Sequence, residues 1–198
     1  VKEVSTRYPD LDYLFCFQSE SVKDSAFYAR WNTAFDGFYS RMKTRSPNTR
    51  IAVAGWGVTP ESVAELPKDV ICAPISHYSA TFQNGDVFGD REYWGCPWLE
   101  RDFNSSQYYY PYNVDLSETI KCYNEASENM SGFYALTWRL TDAISPKLWY
   151  MSKAPWYDAG KLDTAEKVYR DFAQKNYGKA AEDDITLIIN QNEPFATD

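Results

Sequence analysis

Apolar and polar positions alternate along this chain in blocks that switch between a strand rhythm and a helix rhythm. The run Leu11-Asp-Tyr-Leu-Phe-Cys-Phe17 is dense in aromatic and apolar residues and ends in the polar tip Gln18-Ser19-Glu20. Such a short apolar run predicts a strand buried on both faces. Phe27, Trp31, Ala34, Phe35, Phe38 and Met42 then recur at three- and four-residue steps, the stripe of an amphipathic helix packed on a sheet, until Ser46-Pro47-Asn48 breaks it. Arg50–Gly55 predicts a second strand ending at Trp56. Thr59-Pro60 supplies an N-cap followed by proline at the first helical position, opening a short helix to about Leu66. Asp69–Ile75 predicts a third strand, ending near His77 and Tyr78.

The second half repeats the rhythm with longer connections. Polar segments at roughly 79–92 and 103–114 flank a weaker fourth strand around Tyr93–Leu99, whose tip carries Glu100 and Asp102. Asp115-Leu-Ser-Glu118 has the spacing of a capping box and starts another helix. Ser131–Thr137 predicts a fifth strand, ending at Trp138-Arg139. Ser145-Pro146 opens the next helix. Asp163-Thr-Ala-Glu166 is a second capping-box pattern, leading into a helix on which Val168 and Phe172 share a face, with a further helix after Gly178.

Strands separated by helices point to a parallel α/β architecture. Five strands do not close an eight-stranded barrel. An open doubly wound sheet is the other option, but no glycine-rich phosphate loop follows the first strand. The expectation is therefore the carboxyl-terminal part of a (β/α)8 TIM barrel, about strands four to eight, over residues 1–160, with a trailing helical segment over 161–198. A first strand with an unpaired edge predicts association with an amino-terminal remainder of the barrel, from the same polypeptide or another chain.

Composition narrows the partners. The 198 residues carry a formal net charge of -8 with no Lys/Arg cluster, which argues against nucleic acid and anionic membrane surfaces. No stretch reaches the 18 or more apolar residues of a membrane span. Seven Trp, 16 Tyr and 11 Phe suit clefts that stack flat apolar faces, and the C–H faces of sugar rings are such surfaces. The same rings also serve as core filler. Cys16, Cys72, Cys96 and Cys122 form no C-x-x-C, and Cys16 and Cys72 sit in strand-like runs as buried thiols. The lone histidine, His77, excludes a multi-histidine metal site, and no metal or organic cofactor is implied. Asn104-Ser-Ser and Asn129-Met-Ser match the glycosylation acceptor triplet, and the expected location is secreted or periplasmic.

In parallel α/β folds, ligands are met beyond the carboxyl ends of the strands. Glu20 stands there, and so do Glu100 and Asp102. Cleaving a glycosidic bond commonly takes two carboxyl groups, one protonating the leaving oxygen and the other attacking or activating water. Glu20, following an apolar strand, is the candidate general acid, since a desolvated carboxyl holds its proton to higher pH. Glu100 and Asp102 are candidate partners; the structural alternative pairs them with Arg91 or Arg101, and Glu20 can equally be a solvated loop residue. Trp56, Trp98 and Trp138 are candidate walls of a sugar subsite. His77, Tyr78 and Arg139 are candidate hydrogen-bonding groups, with core packing or an ion pair as the alternative for each.

The run Gly132-Phe-Tyr-Ala-Leu-Thr-Trp138-Arg139, with Ser145-Pro-Lys-Leu-Trp149-Tyr150 and Ala154-Pro-Trp156, resembles the last strand and helix of bacterial glycoside hydrolase barrels near the hexosaminidase and α-glucuronidase families. Tyr8-Pro-Asp-Leu-Asp12-Tyr13 through Gln18-Ser19-Glu20 resembles their acid-bearing strand. Ala165–Phe172 through Tyr177-Gly178 is similar to the segment after such barrels. Substrate-assisted hexosaminidases carry an adjacent Asp-Glu pair on the acid strand, whereas Ser19 precedes Glu20 here, so the resemblance does not extend to that mechanism. It implies a glycosidase acting on oligo- or polysaccharides. The competing readings are a catalytically inactive carbohydrate-binding barrel and an unrelated open α/β enzyme; the chain contains no G-x-S-x-G elbow to favour the latter.

Overall fold

The computed structural model describes residues 1–18, 24–76, 84–99, 116–137, 142–157 and 160–192. The chain divides into two compact units. The first comprises Val1–Ile75, Gln83–Cys96 and Asn129–Tyr134, and the second comprises Ser76–Phe82, Pro97–Glu128 and Ala135–Asp198.

In the first unit a short helix, α1 (Lys2–Arg7), precedes strand β1 (Tyr13–Phe17) and the long helix α2 (Ser25–Arg45). Asp24 caps α2, its carboxylate accepting from the Phe27 amide at 2.7 Å, which satisfies one of the donors a helix start leaves unpaired. Strand β2 (Arg50–Gly55), helix α3 (Pro60–Val63) and strand β3 (Ile71–Pro74) follow. The expected start of α3 is found: Thr59 and Ser62 exchange side-chain and backbone bonds in a capping box, with proline next in sequence. Strands β1, β2 and β3 lie side by side in that order and all parallel, with Cys16 level with Val53 and Cys72, and Phe17 level with Ala54 and Ala73. Strands β4 (Trp94–Gly95) and β5 (Gly132–Phe133) form a separate parallel pair, linked to β3 by the isolated parallel bridge Cys72–Tyr93.

Alternation along the strands sorts side chains to two faces. One receives Leu14, Cys16, Ile51, Val53 and Cys72, packed with Phe35 and Met42 of α2. The other receives Ala52, Ala54, Ile71 and Ala73, against which Trp94 and Tyr134 pack. Strand β1 is therefore not buried on both faces, as its composition suggests. Tyr13, Phe15 and Phe17 are 40%, 42% and 60% exposed, whereas β2 and β3 are buried almost throughout.

In the second unit, Pro97–Leu99 and Leu136 are held by a parallel bridge between Trp98 and Leu136, with the Leu99 amide donating to the Leu136 carbonyl at 2.9 Å. Helices α4 (Leu116–Ala126), α5 (Ser145–Lys153), α6 (Ala165–Tyr177) and α7 (Glu182–Asn192) make up most of its other described residues. The cap of α6 is Thr164, which accepts from the Lys167 amide, one residue later than the Asp163 pattern predicts. Asp163 instead pairs with the Lys167 ammonium at 2.6 Å. Val168, Tyr169 and Ala173 form the buried face of α6. Gly178, at φ +88°, turns the chain out of the helix, a conformation that L side chains rarely adopt. Arg170 then reaches Glu166, Glu182 and Asp183, tying α6 to the start of α7.

The expectation of a partial (β/α)8 barrel is overturned. The described residues form seven helices and only small parallel sheets of three and two strands, which does not look like a (β/α)8 barrel. Closure requires strands long enough to tilt and pair on both sides. Here β4 and β5 pair over two residues each, and among the described residues β1 pairs with β2 alone. Among the described residues no helix is long and apolar enough to cross a membrane.

Candidate functional site

The carboxyl ends of β1, β2 and β3 leave the sheet along one edge, and a tight set of backbone contacts fixes that edge. Gln18, just past β1, donates its amide to the Ala54 carbonyl at 2.7 Å. Gly55 closes β2 at φ +117°, with its carbonyl accepting from the amides of Val58 and Ile75. A Cβ at Gly55 would lie 2.6 Å from the Gln18 carbonyl oxygen and 3.2 Å from the Phe17 ring. Both the positive φ and the close approach require glycine. The turn that follows carries Trp56 edge-on to Phe17, ring centres 6.4 Å apart at 81°.

Gln18 itself is fully buried, and neither polar atom of its side-chain amide has a hydrogen-bond partner among the described residues. Leaving such an amide unpaired costs on the order of 1–3 kcal/mol, so this donor–acceptor pair is poised for a partner at the edge where the chain runs on to Glu20. The sequence marks Gln18 only as part of a polar tip; its burial is a property of the fold.

From this edge a row of rings runs back along β1. Phe15 meets Trp94 at 5.6 Å and Tyr134 at 5.4 Å, and Tyr13 meets Trp94 at 4.9 Å. The alanines of β2 and β3 beneath leave room for rings. Polar anchors fix them: Tyr134 donates its hydroxyl to the Ala73 carbonyl at 2.7 Å, and the Trp94 indole donates to Glu92 at 3.0 Å. Glu92 also pairs with Arg50, whose guanidinium lies over the Tyr13 ring. Burial alone would raise the Glu92 carboxyl, but hydrogen bonds from Arg50, Trp94 and Ser131 outweigh it and hold the group below its usual range. Glu92 is thus an ionised anchor rather than a proton donor.

This arrangement can bind a ring with an apolar face. It is not suited to thiolate chemistry: burial pushes Cys16 and Cys72 up to about 11 and Cys96 up to about 12, so the thiols stay protonated near neutrality. Among the described residues no cluster of three or more histidine, cysteine, aspartate or glutamate side chains has the geometry to hold a metal ion.

Of the residues singled out from the sequence, Trp56 lies at the carboxyl edge of the three-stranded sheet, partly buried against Phe17. Trp98 lies in the second unit, partly buried at its bridge to Leu136. Glu20, His77, Tyr78, Glu100, Asp102, Trp138 and Arg139 fall outside the described residues. Arg91, one suggested ion-pair partner for the acids near position 100, is buried and donates to the carbonyls of Val63, Leu66 and Pro67. No protein-family model, no curated protein and no solved structure matches this chain.

Proposed function

We propose that this protein is a glycosidase that cleaves O-glycosidic bonds of oligo- or polysaccharides. The observation that supports the reading best is the row of partly exposed rings, Tyr13, Phe15, Phe17 and Trp56, ending at the strand edge from which the chain continues to Glu20. Aromatic platforms of this kind take the apolar faces of sugar rings, and the edge is where parallel α/β proteins meet their ligands. In this reading Glu20 is the general acid that protonates the leaving oxygen. Glu100 or Asp102 supplies the second carboxylate, as nucleophile or as base toward water. Trp56, Trp98 and Trp138 stack on sugar rings, while His77, Tyr78 and Arg139 bond their polar groups. The proposed partners are the carbohydrate substrate and a strand, from elsewhere in the polypeptide or from another chain, that pairs with the backbone of β1 and leaves its rings open to the sugar. A polysaccharide substrate suits a secreted or periplasmic location.

The test is hydrolysis of a panel of oligosaccharides, followed by release of reducing ends, for the protein and for Glu20→Gln. The expected loss in the variant is about 10²–10⁴-fold, the usual contribution of a positioned general acid, with saccharide affinity retained. An unchanged rate removes Glu20 from the mechanism. Saccharide binding without turnover by the unmodified protein selects the non-catalytic carbohydrate-binding reading instead.

A further inference from the structure

The second unit contains a cavity of about 290 Å³. Helix α4 contributes Tyr123 and Asn124, α5 contributes Tyr150, and the chain that follows contributes Tyr157, Leu162 and Asp163. Tyr123 and Tyr150 stand edge to face, 5.9 Å apart at 86°, so two differently oriented ring surfaces bound one small space. The volume is at the lower limit of small-molecule sites, which suits a single ring. We propose that this cavity binds one neutral pyranose ring.

The polar lining decides between ligand classes. Asp163 is the one charged side chain among the described residues that line it. Its Oδ1 takes the Lys167 ammonium at 2.6 Å, while Oδ2 lies on the side of Gly160, where a Cβ would sit 3.7 Å away. Gly160 also lines the cavity. The hydrogen bond from Lys167 holds the Asp163 carboxyl below its usual range, so it meets a ligand as an acceptor and repels an anion. Three tyrosines beside a carboxylate would also suit an organic cation, but the chain's own lysines already stand over one of the rings and on the carboxylate. The Lys153 ammonium lies 5.6 Å over the Tyr157 ring and 4.2 Å over Trp149, and Lys167 occupies the carboxylate. A neutral ligand with an apolar face for the rings and hydroxyls for Asp163 and Asn124 fits what is left. Trp156, on the turn that joins α5 to Tyr157, is 85% exposed, so further aromatic surface lies on the same turn.

The inference does not depend on glycosidase activity, because binding is read without turnover. Amide spectra of the labelled protein are titrated with methyl β-D-glucopyranoside, with its 1,4-linked trisaccharide, with tetramethylammonium chloride and with glucuronate. The glucoside is expected to saturate shifts at residues around the cavity, and Tyr157→Ala to weaken it about tenfold, the scale of one lost ring contact. Asp163→Asn should weaken it several-fold, with both variants melting like the parent protein. Equal affinity for glucoside and trisaccharide identifies a free sugar as the occupant, and tighter trisaccharide binding identifies a glycan end. Tighter binding of tetramethylammonium or glucuronate overturns the proposal, as does an unchanged glucoside affinity in Tyr157→Ala or no saturable response to either sugar.

Discussion

The two faces of the three-stranded sheet share strands and register yet solve different problems. On one, Cys16, Val53 and Cys72 lie in a row under α2, whose Phe35 and Met42 are 3% and 1% exposed. On the other, Phe17, Ala54 and Ala73 form the corresponding row, with the bulk concentrated in rings at the β1 edge. The helix-covered face excludes water by packing side chains from every strand against α2. The ring face places small residues at the centre and large flat ones at the margin, held by polar anchors at Glu92 and Ala73. An apolar strand can therefore be sealed on one side and keep exposed rings on the other, and the proposed sugar binding uses the second side.

The largest expected effect tests the first face. Phe35→Ala should destabilise the protein by about 3–5 kcal/mol, as truncation of a buried phenylalanine does, lowering the melting temperature by roughly 2–4 °C for each kcal/mol. A loss below about 1 kcal/mol would erase the distinction between the faces. An intermediate effect tests the anchor of the ring face. Glu92→Gln should cost up to about 1 kcal/mol near neutral pH, as expected for a partly exposed pair. The folded carboxyl titrates below its unfolded value of about 4.3, so its contribution is present above that value and disappears as pH falls through the folded one. Melting curves of parent and variant should therefore converge as the pH falls below the unfolded value; a gap that persists in acid means that Glu92 acts by packing. The smallest stability effect belongs to Phe17→Ala, within about 0.5 kcal/mol for so exposed a side chain. The same variant should weaken oligosaccharide binding measured by calorimetry, and an affinity equal to the parent's would break the assignment of this face to recognition.

The order of strands and helices in the first unit was legible because each element carries its own local signal. The three- and four-residue spacing of Phe27 to Met42 marks α2, and Thr59-Pro60 marks α3. Which face of β1 is covered was not legible, since an all-apolar run has no alternation to read, and coverage depends on what packs there. Nor was the extent of β4 and β5, where seven-residue apolar stretches pair over two residues each, because pairing length is set by the neighbouring strand. The barrel expectation failed for the same reason: strand signals are local, and closure is not. Strand-end reasoning led to Trp56, which does stand beside Phe17 at the carboxyl edge. It passed over the burial of Gln18, which depends on Gly55 and β2. The cavity around Tyr123, Tyr150 and Tyr157 left no trace at all, because its walls come from segments with no shared period.

Arg91 ties together segments that lie far apart in the sequence. Its guanidinium holds the carbonyls of Val63, Leu66 and Pro67 from as many as 28 positions downstream. Pro67 stops the chain after α3 locally, and Arg91 adds donors for the carbonyls along that turn. The crossover between β2 and β3 is thereby fastened to the segment that enters β4, and removing this one side chain would take the donor from three carbonyls at once.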